Sequence, residues 1–463
     1  MKWLKIIGII SALLIIIGAG IVITMPYWIE LELDNRISAI QTKGDPICGK
    51  DLIPHVPDDR NGAPIYERVF AMINPSKKDI IKAFAVVQPL KRKEHPELLA
   101  LAKELAIKYQ GVLPLIEQAT SRPQCRFNTN WNDPPEKIVF PCYAKAKNTS
   151  KLLLEISIAD ASEGKIDDAV KAVELNYKTS EVLREEPVFI GHLVRYACIA
   201  IASQGLKQSA QYGDISEPQA LRLFNLLGKI DLQADYVYAM KGERAQGLDI
   251  MERVRHHCLD ISGVYSSNTK RNQCDNPHGL MLMDLRACAD ELFYLKYMDK
   301  IIAAAGKPYR SAISRQMERD PDFPMYALMS SIVLPCFSKN KAHLYKAMAT
   351  VTGDRAFLAV LAYKAKFGVY PSNLSDVETK LGLKLPLDPW IDEPLHYRKE
   401  NNGFVLYSVG ENMKDDNART VEDPSSIRTH AKGSTEDSKF LDNYPYTNGD
   451  GRHSADMIWQ MSR

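Results

Sequence analysis

"LPLDPWIDEPLHYR", residues 385–398, interrupts a chain whose other segments carry mostly helical patterns. Pro386, Pro389 and Pro394 hold the backbone extended or turned and cannot continue a helix. Asp388, just before Pro389, can cap a turn. Trp390 and Tyr397 are free to pack on whatever precedes them. The stretch therefore reads as the entry to a small sheet. Its surroundings agree. Upstream, "KAHLYKAMATVTGDRAFLAVLAYKAKFG" is one helix, or two in line, ending near Gly368. Downstream, "GFVLYSVG" at 403–410 alternates as a strand does, and "ADMIWQM" near the end reads as a last strand after a long polar loop.

Between residues 61 and 340 the periodicity is helical. Pro96 opens "PELLALAKELAIKY", with Leu98, Leu101 and Leu105 on one face. Two helices flank Gly164, and Asp167 can help cap the second, whose stripe is Ala169, Val170, Val173 and Tyr177. Ser216 with Gln219 three residues on forms a capping box ahead of Leu223, Leu226, Leu227 and Ile230. The turn "EGKIDDAVKA" is of the helical-hairpin kind, without a second copy at a period near 34 residues.

The N-terminus carries the strongest single signal. Ile6–Met25 is a run of 20 residues without charge, long enough for the hydrocarbon core of a bilayer, about 30 Å. Lys2 and Lys5 precede it; Glu30, Glu32 and Asp34 follow. Trp3 stands at one edge, and Tyr27 and Trp28 at the other. The charge bias sets a cytoplasmic stub (1–5), a transmembrane anchor (6–25) and an extracytoplasmic remainder. A cleaved signal peptide would have a shorter apolar core and a small-residue site. Residues 26–60, polar and proline-containing, read as an irregular stalk or as first contacts with the body.

All eight cysteines then fall on the oxidising side. Cys125 with Cys142, and Cys258 with Cys274, are the natural local disulfides, while Cys198 and Cys288 sit in apolar helical patterns as buried thiols. "HHC" at 256–258 with Cys274 and His278 also permits zinc, though not at a standard spacing. His192 is read as a core histidine, and Glu243 and Arg244 as packed or surface charges. A net charge of +2 with no long basic run argues against a nucleic-acid partner. No serine elbow, phosphate loop, dinucleotide fingerprint or HExxH is present in the sequence.

The ordered segments "LAVLAYKAKFGVYPSNLSDV", "LPLDPWIDEPLHYR", "GFVLYSVGENMKDD" and "GDGRHSADMIW" resemble the C-terminal half of the major pseudopilin of type II secretion systems. The resemblance spans roughly residues 343–463, about a quarter of the chain. It implies a small α+β domain with an antiparallel sheet and a calcium-binding loop. The implied ligands are Leu406, Ser408, Asp415, Asp416 and Asp456, with Asp450 an addition of this sequence; hard oxygen donors suit Ca²⁺. The competing reading is a solvated polar loop. The N-terminus departs from that family: it lacks the prepilin-peptidase pattern and the acid within the apolar run. The loop between Asp416 and Asp456 is also longer than the family's. In the helical part, "NGAPIYERVF", "SRPQCRFNTNW", "EGKIDDAVKAVE" and "AMKGERAQGL" resemble membrane-anchored proteins of planctomycete- and verrucomicrobium-like bacteria. That likeness implies an architecture and no activity.

The expected fold is mainly α: the transmembrane helix, an α-helical hairpin domain at 61–340, and the pseudopilin-like α+β domain at 341–463. The expected function is a non-catalytic scaffold or binding protein of the inner membrane, single-pass, with its bulk periplasmic. Its expected partners are the membrane and other envelope, secretion or pilus-type proteins. A cell-envelope enzyme with its site in the helical domain, and an atypical secretion pseudopilin, are the alternatives.

Overall fold

The computed structural model describes residues 2–52, 56–73, 96–256, 277–311, 322–334, 337, 340–418 and 457–462. The protein is mainly helical, with a small antiparallel sheet near its C-terminus.

The first helix, α1, runs from Lys2 to Thr42 without a break, with Pro26 inside it. It therefore continues well past the apolar run. From Ile29 onward one face turns inward: Leu33 and Ile40 are buried, and Ile37 is half-buried. This i, i+4, i+7 spacing is that of a docked amphipathic helix. Of residues 26–60, for which the sequence allows an irregular stalk or first contacts with the body, 26–42 are helical and pack on the body. Gly44, at φ 73°, ends the helix in a left-handed turn. The turn is what redirects the chain so that Asp45 meets the body.

The hairpins follow as α2 (Ala63–Met72), α3 (Pro96–Tyr109), α4 (Leu113–Thr120), α5 (Pro141–Ser162), α6 (Ile166–Ser180), α7 (Phe189–Ser209), α8 (Glu217–Leu227), α9 (Leu232–Arg255), α10 (Pro277–Ala305) and α11 (Leu328–Val333). α5, α6 and α7 pack on one another, and α9 packs on α10. Ala169, Val170, Val173 and Tyr177 are all buried, as the stripe predicts. The capping box of Ser216 and Gln219 is formed. Asp167 does not cap α6. Lys165 holds the cap position, and Asp167, in the first turn, accepts from Gln219 Nε2 of α8. α7 is long and apolar enough to span a membrane, but most of it is buried inside the protein, so it is the central core helix.

α12 (Asn340–Phe367) and α13 (Leu374–Leu381) lead to the sheet. α12 ends one residue before Gly368, at φ 76°. β1 (Leu387–Asp388) and β2 (Glu393–Pro394) make a short ribbon. β3 (His396–Glu400), β4 (Gly403–Ser408) and β5 (Met457–Ser462) form an antiparallel sheet with β4 central, Leu406 opposite both Tyr397 and Trp459.

α12 packs on α7 and α8 on one side and on β4 and β5 on the other. One continuous apolar core consequently runs from Val170 of α6 to Met461 of β5. The chain does not change cores at residue 340. Trp390, 1% exposed, stacks edge-on with Tyr309 at 4.6 Å and tilts over Tyr345 of α12 at 5.7 Å. Tyr397 packs on Phe404 and donates to the Pro371 carbonyl at 2.9 Å. The proline-rich stretch is thus a clamp on α12.

Candidate functional site

Three polar assemblies stand out, each at a seam between elements. The first lies under β5. Asp354 of α12 is fully buried. Its Oδ1 accepts from Ser203 Oγ of α7 at 2.8 Å and from Trp459 Nε1 of β5 at 2.7 Å; its Oδ2 accepts from the Tyr177 hydroxyl of α6 at 2.8 Å. Burial raises its carboxyl above the usual range, opposed by the charge of Lys207 and by these hydrogen bonds. Burial likewise lowers the Lys207 amine, which lies over the Trp459 ring. Trp459 reaches Asp354 only because residue 353 is glycine. A Cβ there would stand 2.2 Å from the indole. One carboxylate therefore joins three helices and the last strand.

The second assembly fixes α1 to the body. Arg244 of α9 is 4% exposed. Its Nη2 donates to Asp45 Oδ2 at 3.1 Å and its Nη1 to Asp299 Oδ1 of α10 at 3.0 Å. Lys241 adds a second bond to Asp45 at 2.7 Å. Burial disfavours the charge on Asp45, yet Lys241 and Arg244 hold its carboxyl below the ordinary range. Arg36 of α1 closes the ring, donating to Asp299 and to Glu32. Beneath these ions, Leu33 and Ile40 meet Leu248 and Leu295. The Glu243–Arg244 pair noted in the sequence thus splits in two directions.

Glu243 faces the other way and accepts from the Phe189 amide, the start of α7, at 2.7 Å. Burial pushes its carboxyl up to about 7. A folded value above the unfolded one means the favourable state is the protonated one. Its full contribution is present below about pH 4.5 and disappears as pH rises through about 7. Glu243→Gln keeps an acceptor for the Phe189 amide and cannot ionise. We expect the variant to be the more stable protein at pH 8, by about 2–3 kcal/mol, and the gap to close near pH 5. Denaturant titrations of both proteins across that range check this.

The third assembly is the predicted calcium region. Leu406 and Ser408 lie in β4, both fully buried. Ser408 Oγ accepts from the Gly410 amide and bonds Asp388. Asp388 Oδ1 accepts from the Trp390 amide and Oδ2 from the Val409 amide, each at 3.0 Å, so it caps the turn as the sequence suggests. Asp415 accepts from the Tyr407 hydroxyl at 3.0 Å and from the Asn417 amide at 2.8 Å; chiefly through that amide, its carboxyl is held below the ordinary range. Asp416 accepts from Asn412 Nδ2 at 2.7 Å. The structure thus gathers Asp415 and Asp416 at the mouth of the loop, while Ser408 turns inward to Asp388. Asp450 and Asp456 lie outside the described residues. Among the described residues no group of three or more His, Cys, Asp or Glu side chains could hold a metal ion.

Comparison with family models, with curated proteins and with solved structures finds no match. The functional reading therefore rests on the residues themselves.

Cys125 and Cys142 are free thiols, so the bridge expected between them is not formed. Both pack in the apolar core built on α2, α4 and α5. Burial holds both thiols above the ordinary range, Cys142 up to about 12. Cys198 and Cys288 are buried free thiols, in line with the sequence. Cys258 and Cys274, with the zinc alternative that uses them, lie outside the described residues. His192 is fully buried, its Nε2 2.9 Å from the Glu186 carbonyl oxygen; burial pushes it down to about 3. It is a neutral core residue. Sequence reasoning missed both the Asp354 assembly and the Arg244 clamp; the partners of Arg244 stand about 200 and 55 residues away.

Proposed function

We propose that this protein is a non-catalytic, single-pass scaffold of the inner membrane. Its N-terminus is cytoplasmic and its body periplasmic, and the body offers a surface to other envelope, secretion or pilus-type proteins. The observation that carries this reading is the continuity of α1. The uncharged run and the docked segment are one helix, and Arg244, Asp45, Asp299 and Arg36 lock that helix to the body. Such a junction holds the body at a set distance and orientation from the bilayer. That serves a platform and would be superfluous for a tether. The order of long helix, proline clamp and three-stranded sheet supports a pseudopilin-like C-terminal module.

Alkaline carbonate washing of membranes and protease treatment of spheroplasts test the topology. The full chain should stay in the carbonate pellet, and protease should remove the body while sparing an N-terminal tag. Release by carbonate, or loss of the tag in intact spheroplasts, would contradict it.

Calcium belongs to the same reading, bound in the loop after β4 by Asp415 and Asp416 with Asp450 and Asp456. Carboxylates that share one site repel one another until a cation neutralises them. Millimolar Ca²⁺ should raise the melting temperature of the full chain by several degrees relative to chelator, and Mg²⁺ should not substitute. Equal melting in both, with no calcium by elemental analysis, would remove calcium from the account.

A further inference from the structure

The seam where α1 docks on α9 and α10 holds a buried carboxyl that the Arg244 clamp does not use. Glu291 of α10 is 1% exposed. One turn further along α10, Leu295 packs with Leu33 and Ile40 of α1. The residue after Glu291, Leu292, lines a groove with Met25, Trp28, Ile29 and Glu32 of α1. Glu291 therefore belongs to the joint between the N-terminal helix and the body.

The charges around it are unbalanced. Arg255 of α9 faces Glu291 with Nε 3.4 Å from Oε2, and neither of these two atoms makes a hydrogen bond. Glu252 of α9 and Asp34 of α1 add negative charge at the same carboxyl. On α10 itself, Asp290 is taken up by the Met329 and Ser330 amides of α11. The Cys288 thiol lies against Arg255, with the charge of Glu30 of α1 nearby. A buried ion pair offsets its lost hydration only when the geometry is good and the remaining lone pairs are bonded. The contact to Arg255 meets neither condition. Burial pushes the Glu291 carboxyl up to about 7; Arg255 opposes the rise, and Glu252 and Asp34 add to it.

We propose that Glu291 is a proton-operated latch on α1: protonated, it lets the helix lie on α9 and α10, and ionised, it loosens the joint against Asp34. Lifting α1 admits water to Glu291 and takes Asp34 away, so the carboxyl returns toward its ordinary value of 4.5. The docked value is the higher one. The latch is therefore fully set below about pH 4.5, and its contribution is lost as pH rises through about 7. The apolar contact of Leu33 and Ile40 does not titrate and keeps the docked form the major one throughout. The latch does not depend on the membrane reading, because the docked segment is itself part of the structure.

The test is amide hydrogen exchange over residues 30–42 of the full chain in detergent micelles, corrected for the intrinsic rate, in wild type and in Glu291→Gln. Glutamine keeps the shape of the side chain and cannot ionise. Between about pH 5.5 and about pH 8, opening of the segment should rise about tenfold in wild type and less than about twofold in the variant. The amides of α9 are the reference for global unfolding, because Glu243 titrates in both proteins. A wild-type segment that opens equally at both pH values would overturn the latch. So would a variant that keeps the tenfold rise, or a wild-type rise that α9 shares in full.

Discussion

Asp354→Ala will destabilise the protein by at least about 3 kcal/mol. The substitution leaves the Tyr177 hydroxyl, the Ser203 hydroxyl and the Trp459 indole N–H without their acceptor in the buried core. Each orphaned buried donor costs about 1–3 kcal/mol. The cavity left by the carboxyl adds to this. Asp354→Asn behaves differently. Its carbonyl oxygen still serves Ser203 and Trp459, and its amide can donate to the tyrosine oxygen. About 1 kcal/mol should be lost. Denaturant unfolding of both variants in detergent, followed by tryptophan fluorescence, checks the pair. A loss below 1 kcal/mol for Asp354→Ala would mean the seam between the helices and β5 is held by apolar packing alone.

The second large effect concerns the other seam. Arg244→Ala should free the end of α1 from α9 and α10. It leaves Asp45 with Lys241 only, and Asp299 with the longer 3.4 Å contact to Arg36. Removing one partner from a buried ionic network costs about 3–5 kcal/mol. Arg244→Lys should recover little, since a single ammonium cannot bridge two carboxylates as the guanidinium fork does. Trypsin cleavage at Lys43, which is solvent-exposed, reports the release. We expect a rise of at least tenfold for Arg244→Ala with the body still folded. Unchanged cleavage would show that Leu33 and Ile40 suffice to hold the helix.

These two assemblies also mark how far the sequence was legible. Local devices could be read: the capping box at Ser216, the helix end before Gly368, the strand at 403–408 and the turn at Asp388 all follow from neighbours in the chain. The docked half of α1 was written as well, in the spacing of Ile29, Leu33, Ile37 and Ile40. It was obscured by three acidic residues and by the proline-containing segment that follows. The long-range polar contacts were not legible. Asp354 is one aspartate in an apolar helical pattern, and its partners lie 177, 151 and 105 residues away. Nothing local to any of the four residues encodes their meeting. The Cys125–Cys142 pairing failed for a similar reason. Nearness in sequence carries no information on whether two thiols point at each other.

The residues proposed for calcium fall between these cases. The motif order suggests such a loop, and the fold brings Asp415 and Asp416 to the start of the segment after β4. Ser408, however, is taken up by Asp388 and Gly410, inside the turn that the proline stretch creates. Its hydroxyl serves the core of the clamp rather than the loop.

The central claim is that anchor and body form one rigid piece. Amide hydrogen exchange over residues 30–42 in the full chain, reconstituted in bilayers, tests it most directly. If α1 is docked as described, those amides exchange as slowly as the buried helix α9, with protection of at least a thousandfold over an unfolded peptide, corresponding to an opening free energy of about 4 kcal/mol or more. Exchange within tenfold of the unfolded rate, alongside a protected α9, would contradict the account and make residues 26–60 a tether.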